Sequence, residues 1–403
     1  MCVNNMKPVR IALIGAGGIV SHAHKPAFLQ FPQELQPAAV ADPNRPAAEA
    51  LAGEFGVPVF SDYLEMLDRM REDIDAVLIS TPHFLHACAA ADALSRGLPA
   101  LVEKPLVCTI DELRRLEALE KTSGAFVQAG QQQRFGAEES WLKTWLKTWL
   151  NGPEFGTAKL FNLDIYQNVE SYVTGKPDHW ILDKKRAGGG IVISVAIHIL
   201  DLVRYWFDDD FVEVYAKGTF DAPLANGAES SAAATLTMRS GAIGTLNCSY
   251  MAKRCPYSQR TLLFGSRGSL YQHIDKPGGG YAGEYYTSTD SGNPSPDWGM
   301  MYEGWEPVSA RLGSAAQTSA FVTQLREFAK NVRANAPACH GFQRSRSDDV
   351  GTDGWPMVSG EVRRDDPPKR RRHMVRDAAA VRLHRRRPIQ RARDGCPGRR
   401  LLR

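Results

Sequence analysis

Near the start of the chain lies a glycine-rich turn whose spacing suits a dinucleotide. The run Gly15-Ala16-Gly17-Gly18-Ile19-Val20 follows an apolar strand-like segment, Val9–Ile14, and precedes a helical one. In that context Gly15 permits a tight turn, and Gly17 lets the backbone approach a pyrophosphate at the positive end of a helix. Val20 replaces the third glycine, whose role is helix–strand packing. The alternative is a glycine-rich turn without a ligand. The cofactor contacts predicted in this turn are Gly15, Gly17, Gly18 and Ile19.

An acidic residue further along the chain bears on the choice of cofactor. Asp42 ends the second strand-like segment, 27 residues after Gly15. A carboxylate at that position accepts hydrogen bonds from both adenosine ribose hydroxyls and repels a 2′-phosphate. We therefore predict NAD as the cofactor. Arg45 follows three residues later and could pair with a phosphate, so NADP stays possible.

Strand-like and helical segments alternate along the first 130 residues. The predicted strands are Val9–Ile14, Pro37–Ala41, Ile74–Ser80, Pro99–Glu103 and Ala125–Gln128. Such alternation indicates βαβ units and a parallel sheet, and continuously apolar strands indicate helices on both faces. The predicted fold class is α/β, with a doubly wound Rossmann domain over residues 1–130.

After residue 130 the pattern changes. A long apolar helix at about 191–207 is followed by strands of alternating polarity, Ala232–Met238 and Ala242–Tyr250. This indicates a second, α+β domain over residues 131–336 with an open mixed or antiparallel sheet. We also predict a tryptophan-rich helix, 141–150, a long loop, 278–305, and a helix at about 317–335.

The last 67 residues, 337–403, have a different composition from the rest. They contain 17 Arg, one Lys and eight acidic residues, a net charge of +10, which leaves the first 336 residues at −6 in a chain of net charge +4. The absence of apolar periodicity indicates disorder. A genuine basic tail and a sequence read out of frame both fit. The acidic body gives no reason to propose a nucleic-acid or anionic-membrane partner.

The rest of the composition bears on compartment and metal binding. No run of eighteen apolar residues occurs, and the first ten residues lack the pattern of a signal peptide. The seven cysteines are scattered, without a Cys-x-x-Cys or Cys/His cluster. We therefore expect a cytoplasmic protein with reduced structural thiols, no metal site and no membrane association.

Four motifs in order resemble those of the Gfo/Idh/MocA oxidoreductases. They are Gly15–Val20, Ser80–His86, Glu103-Lys104-Pro105, and Gly188-Gly189-Gly190 followed by His198 and Asp201. The resemblance extends over about residues 9–335. It implies a Rossmann domain paired with an open-sheet domain that carries the substrate, assembly into homodimers or homotetramers, and activity on sugars or polyols.

The resemblance also implies roles for individual residues. Lys104 would lie beside the nicotinamide and contact the substrate hydroxyl, with Glu103 and Pro105 fixing its approach through a cis Lys104–Pro105 bond. Because an ammonium group lowers the cost of an alkoxide, this role agrees with alcohol oxidation. His198 matches the family's catalytic histidine and would be the general base. The remaining cofactor contacts predicted from the motifs are Thr81, Pro82, His86, Glu103 and Lys104.

Other site predictions follow from the glycine motif and its helix. Asp201, one helical step after His198, would hold the substrate or orient the imidazole. Gly188–Gly190 would let the helix begin close to cofactor or substrate. Ser194 stands where the family commonly has an aspartate, so it can bind a sugar hydroxyl but holds no charge. Proximity to the glycine motif suggests further substrate contacts at Tyr166, His179, Trp180 and Lys185.

These features together predict hydride transfer between NAD(P) and a secondary alcohol of a sugar, polyol or related small molecule. One alternative is an NAD-dependent, redox-neutral glycoside hydrolase. A second alternative, motivated by Ser194 and the Arg-rich tail, is a non-catalytic NAD-binding sensor or regulator.

Overall fold

The computed structural model describes residues 7–137, 140, 142–143, 155–253, 257–275, 284–289, 306–307 and 319–335. The prediction for the tail, 337–403, lies outside these residues, as does the prediction for the tryptophans of the helix 141–150.

Six parallel strands form the first sheet. They are β1 Val9–Ile14, β2 Leu35–Ala41, β3 Val59–Phe60, β4 Ala76–Ile79, β5 Ala100–Glu103 and β6 Val127–Gly130, in the order β3-β2-β1-β4-β5-β6. Every residue of β4 and β5 is buried, because apolar cores cover both faces of the sheet. The predicted doubly wound α/β domain is confirmed, and β1 has the predicted ends.

Five helices connect these strands. They are α1 Lys25–Gln30, α2 Arg45–Gly53, α3 Tyr63–Arg69, α4 His83–Leu94 and α5 Ile110–Ser123. The strand order reverses between β1 and β4, so the loops after these strands diverge and leave a crevice at the carboxyl ends. The glycine-rich turn after β1, the segment after β4 and the end of β5 all lie at that edge.

The second sheet is mixed. Its strands are β7 Ala158–Tyr166, β8 Phe211–Thr219, β9 Ser231–Met238, β10 Ile243–Ser249, β11 Ser258–Gly265, β12 Gly268–Asp275, β13 Glu284–Thr289 and β14 Glu306–Pro307. Their order is β14-β13-β12-β11-β7-β10-β9-β8, and β7 pairs parallel with β10 while the other pairs are antiparallel. The predicted mixed sheet is confirmed.

The helix that precedes β8 covers one face of this sheet. Between β7 and β8 the chain forms α6 Glu170–Val173, α7 Lys184–Ala187 and α8 Ile197–Phe207, with a π-helical turn, Val192–Ala196, before α8. The stretch Lys184–Phe207 is long and apolar enough to cross a membrane, yet 72% of its most apolar window is buried inside the protein. Phe207 packs against Phe161 of β7, which shows that this helix forms part of the domain core.

Strand β13 corrects the prediction of a long loop over 278–305. Residues 284–289 pair antiparallel with β12, with Leu270 opposite Thr287. The segment Glu-Tyr-Tyr-Thr-Ser-Thr lacks the alternation of apolar and polar residues that marks a half-buried strand. Its aromatic and β-branched composition was the available signal.

The cysteines follow the prediction in part. Cys88 of α4 is disulfide-bonded, so the expectation of reduced thiols is wrong for this residue. Cys108 and Cys248 are free and buried, and burial raises the pKa of each thiol to about 12. These two thiols are therefore protonated packing groups.

The last described helix, α9 Ala320–Ala334, packs on the first sheet. Its residues Leu325 and Phe328 are buried in a core shared with β1, and Arg326 binds both carboxylate oxygens of Glu34 at 2.9 and 2.8 Å. This helix therefore packs on the first sheet, although it follows the second domain in the sequence. Its amphipathic pattern indicates which face is buried, but not which domain buries it.

Shortening a buried side chain of this helix should destabilise the N-terminal domain. We expect Phe328→Ala to lower the free energy of unfolding by about 3–5 kcal/mol, because it leaves a cavity in the core. The control is Leu29→Ala on α1, whose side chain is 56% exposed. Urea denaturation measures both variants, and equal stabilities would contradict the assignment of α9 to this core.

Candidate active site

The glycine-rich turn has the geometry that a dinucleotide requires. Gly15 has φ of +104°, and a Cβ there would lie 2.3 Å from the carbonyl oxygen of Ser80, so no other residue fits. A Cβ on Gly17 would meet no described atom within 4 Å. The Ile19 side chain next to it is 49% exposed, whereas Val20 is buried at the start of a π-helical turn, Val20–His24. The open space beside Gly17 can therefore receive a pyrophosphate.

Asp42 holds this turn in place. Its Oδ2 accepts a hydrogen bond from the backbone N–H of Ala16 at 2.7 Å, and its Oδ1 accepts one from that of Asn44 at 2.7 Å. Carboxylate oxygens keep further lone pairs for ribose hydroxyls. Arg45 pairs with Glu49 at 2.7 Å on the surface, where both side chains are more than half exposed. This arrangement fits NAD.

Lys104 connects the two domains at the end of β5. The Lys104–Pro105 bond is cis, as predicted. The Lys104 Nζ donates a hydrogen bond to the carbonyl oxygen of Ser194, in the π-helical turn before α8, at 2.8 Å. Burial lowers the pKa of Lys104, and the charge of Glu103 opposes this shift. The structure thus brings the second-domain helix to the end of a Rossmann strand.

Glu103 pairs with a histidine that the sequence analysis missed. His24 Nε2 lies 2.7 Å from Glu103 Oε1, both side chains are buried, and Phe321 of α9 meets the His24 ring edge-on. Burial raises the pKa of Glu103, but the hydrogen bond with His24 and nearby positive charges outweigh it, so the net shift is downward. Glu103 Oε2 also accepts from the backbone N–H of Lys104 at 3.2 Å. The Glu103 carboxylate therefore helps to fix the backbone at Lys104.

His86 ties two loops of the crevice together. Its Nδ1 lies 2.7 Å from the carbonyl oxygen of Pro105, and its Nε2 lies 2.8 Å from that of Thr81. Burial lowers the pKa of His86. A neutral imidazole carries one N–H, so His86 donates to one of these two carbonyl oxygens and lies against the other, beside the half-buried Thr81 and Pro82 at the crevice edge. The predicted contact of His86 with the cofactor stays a prediction.

His198 has the protonation state of a base. Burial and the positive charge of Lys104 lower its pKa well below the ordinary value of 6.5. Its imidazole is therefore neutral at neutral pH. Among the described residues no group forms a hydrogen bond to its buried Nδ1. The ring is thus able to take up a proton beside Lys104.

Ser194 contributes its backbone carbonyl oxygen to the contact with Lys104, and its hydroxyl lies in a separate buried environment. Its hydroxyl is buried near that of Tyr250 from the end of β10, without a hydrogen bond of normal geometry between them in the described part of the chain. Burial raises the pKa of Tyr250, so its hydroxyl is protonated. The predicted contact between the Ser194 hydroxyl and substrate stays a prediction.

The three glycines before the π-helical turn approach protein atoms. A Cβ on Gly190 would lie 1.8 Å from the carbonyl oxygen of Glu229, and one on Gly188 would lie 3.0 Å from Cys108. The Glu229 Oε1 also accepts from the backbone N–H of Val192 at 3.0 Å. The expectation that these glycines approach cofactor or substrate is corrected, because Glu229 and Cys108 occupy that space.

Asp201 has a buried partner, Arg134, which the sequence analysis also missed. Arg134 lies in a 3₁₀ turn, Gln132–Phe135, after β6, and its two N–H groups bind the two Asp201 oxygens at 2.6 and 2.5 Å. Both side chains are buried. Asp201 thus binds Arg134 within the protein. Its predicted contact with substrate stays a prediction. An arginine in the turn after a buried strand was the available signal.

Of the remaining predicted substrate contacts, Trp180 packs against His83. Its ring meets that of His83 edge-on at 4.4 Å between centroids, and the charge of Lys104 contributes to lowering the pKa of His83, after burial and His86. Lys185 is exposed on α7. Tyr166 donates to Asp164 at 3.3 Å, and the His179 Nδ1 accepts from a backbone N–H at 3.3 Å.

Comparison with known proteins agrees with this geometry. Residues 9–131 match the model of an oxidoreductase family with an NAD-binding Rossmann fold, and residues 144–271 match the GFO/IDH/MocA C-terminal domain. The chain is 28% identical over 278 residues to the uncharacterised oxidoreductase YrbE of Bacillus subtilis, covering 67% of this chain and 75% of that protein.

Two further matches have described activities. The chain is 27% identical over 269 residues to scyllo-inositol 2-dehydrogenase (NAD⁺) of Bacillus subtilis, covering 65% of this chain and 73% of that protein. It also matches the structure of levoglucosan dehydrogenase in complex with NADH and levoglucosan, with a TM-score of 0.69 and 20% identity, covering 83% of this chain and 92% of that one. The latter likeness is one of fold.

Alanine substitutions in the turn should separate stability from cofactor binding. We expect Gly17→Ala to leave the melting temperature unchanged and to weaken NAD binding, because its methyl enters the open space. Gly15→Ala should lower the melting temperature, since it clashes with Ser80. Calorimetry measures both effects. Undiminished NAD affinity in Gly17→Ala would contradict a pyrophosphate site at this turn.

Proposed function

Because the chain belongs to the Gfo/Idh/MocA family of oxidoreductases, we propose that it transfers a hydride between NAD and a secondary alcohol of a sugar, polyol or related small molecule. The observation that carries the proposal is the Lys104–Ser194 hydrogen bond, which places an ammonium group beside the neutral His198. The names of an inositol dehydrogenase and a levoglucosan dehydrogenase among the matches support the substrate class.

The two side chains divide the proton chemistry. Oxidation of an alcohol removes a proton from oxygen while a hydride leaves carbon, and bound NAD supplies the hydride acceptor. One Lys104 N–H is held by Ser194, so two remain to bind the substrate oxygen and stabilise its developing charge. His198 accepts the proton because its imidazole is neutral. In the direction of reduction the protonated His198 returns it.

The surrounding residues fix this pair and form its walls. Glu103 and His86 hold the backbone on either side of Lys104, through Lys104 N–H and the Pro105 carbonyl. Trp180 offers a half-buried aromatic wall next to His83, of the kind that sugar C–H groups contact. Ser194 and Lys185 are the further substrate contacts in this proposal.

The test is the absorbance of NADH when the protein receives NAD and a panel of sugars and polyols. We expect turnover of at least one polyol, with kcat reduced about 10²- to 10⁴-fold in Lys104→Ala and in His198→Asn. The control Arg114→Ala, an exposed residue of α5, should keep full activity. Because the pKa of His198 is lowered, kcat/KM for oxidation should stay level down to about pH 6.5 and fall only below it.

Other outcomes of this assay would favour one of the two alternative functions. Cleavage of an aryl glycoside without net NADH formation would indicate the redox-neutral hydrolase. NAD binding without turnover of any substrate would indicate the sensor. Full activity in both Lys104→Ala and His198→Asn would rule out a role for these two side chains in moving the proton.

We also propose that the chain forms homodimers or homotetramers through the open face of the second sheet. On that face Leu160 of β7 and Ile243 of β10 are directly opposite each other and exposed, and Tyr215 of β8 is 66% exposed. Exposed apolar groups in one patch are typical of interfaces. We expect light scattering to give a multiple of the chain mass, reduced in Leu160→Asp/Ile243→Asp and unchanged in Leu29→Asp. A monomeric parent protein would contradict this.

A further inference from the structure

We propose that Arg134 is a positioning residue for His198, acting through Asp201. The proposal rests on the proposed function, since it assigns a purpose to a contact that the hydride-transfer chemistry does not itself use. Arg134 and Asp201 bind each other with two hydrogen bonds, one from each of two guanidinium nitrogens, at the contact between the first sheet and α8.

Arg134 and Lys104 extend from neighbouring strands. β5 and β6 pair in parallel, with Glu103 opposite Gly130, and a Cβ on Gly130 would lie 2.8 Å from the Glu103 Cα. This close pairing fixes the end of β6 relative to the end of β5. The turn that carries Arg134 begins two residues after Gly130. Lys104 and Arg134 therefore both follow strands that are paired at the same edge of the first sheet.

Both side chains reach the same helical segment on either side of His198. Lys104 binds the carbonyl of Ser194, four residues before His198, and Arg134 binds the carboxylate of Asp201, three residues after it. Core packing holds α8 as a whole, but a single polar attachment would not oppose a small rotation of the helix about its axis. Two attachments on one face fix that rotation, and with it the direction of the His198 ring.

The Arg134 turn is itself fastened by the last helix. The side-chain oxygen of Gln324 on α9, in the amide orientation that satisfies both of its groups, accepts from the backbone N–H groups of Gln131 and Gln132 at 3.2 Å each. The guanidinium also lies over the Tyr205 ring, 5.1 Å from its centroid. Arg134 is thus held from the first domain and packed against the second.

A bidentate guanidinium suits this role better than a single ammonium group. Its planar fork matches both carboxylate oxygens and so sets the orientation of Asp201 as well as its distance. Both partners are buried, and the pair carries no net charge. The charged side chain that lowers the pKa of His198 is Lys104. Arg134 therefore acts on the position of His198, whereas Lys104 acts on its charge.

The test compares Arg134→Gln with Arg204→Gln, which removes an ion pair with Asp210 from the same helix. In Arg134→Gln we expect kcat to fall about 100-fold while KM for NAD changes less than about 2-fold, because a small displacement of a catalytic group has that effect. Arg134→Lys should recover part of the loss. Arg204→Gln should keep the parent kcat.

A second readout does not need turnover. We expect the NMR titration midpoint of His198, assigned by comparison with His198→Asn, to rise in Arg134→Gln, because the ring leaves its buried site beside Lys104. The double variant Arg134→Gln/Asp201→Asn buries no unpaired charge, so it separates displacement of the ring from the effect of an unpaired Asp201 carboxylate on the same midpoint.

The titration midpoint decides the proposal. A midpoint that rises in the double variant Arg134→Gln/Asp201→Asn and not in Arg204→Gln supports it, and an unchanged midpoint in the double variant overturns it. A parent protein without dehydrogenase activity whose midpoint still responds to Arg134→Gln would reject the proposed function and keep the positioning role.

Discussion

An ammonium group that leaves water must find acceptors or lose its charge. Lys104 finds one in the carbonyl oxygen of Ser194, which belongs to the other domain. Burial lowers the pKa of the nearby His198 and the charge of Lys104 lowers it further, so the lysine that joins the domains also favours the neutral state of the base. The close approach of the domains and the proton chemistry therefore both involve a single half-buried cation.

Several features were predictable because they depend on residues close together in the chain. The ends of β1 and the turn at Gly15 follow from local pattern and from a backbone angle that glycine tolerates. The order of the motifs also predicted that Lys104 and His198 meet, although about ninety residues separate them in the sequence. For this pair, the resemblance to a family supplied what periodicity cannot.

What could not be predicted is the choice of partner over long distances. Gly188–Gly190 showed that something approaches the backbone, but a glycine does not say what, and the answer is Glu229 and Cys108. Asp201 showed that a buried carboxylate needs a partner, and both substrate and Arg134 could satisfy that need. The pairing of His24 with Glu103 could not be predicted from the sequence, because a buried histidine can pair with any acceptor that the fold supplies.

The contact of α9 with the first sheet affects how the chain can fold during synthesis. Glu34 and Arg326 are 292 residues apart, with the whole second domain between them. At typical rates of translation, the ribosome needs roughly 15–60 s to make that intervening stretch. The apolar surface that later receives Leu325 and Phe328 waits uncovered for that time. The domain that emerges first is therefore the last to be completed, and nascent chains would need protection from aggregation at this surface.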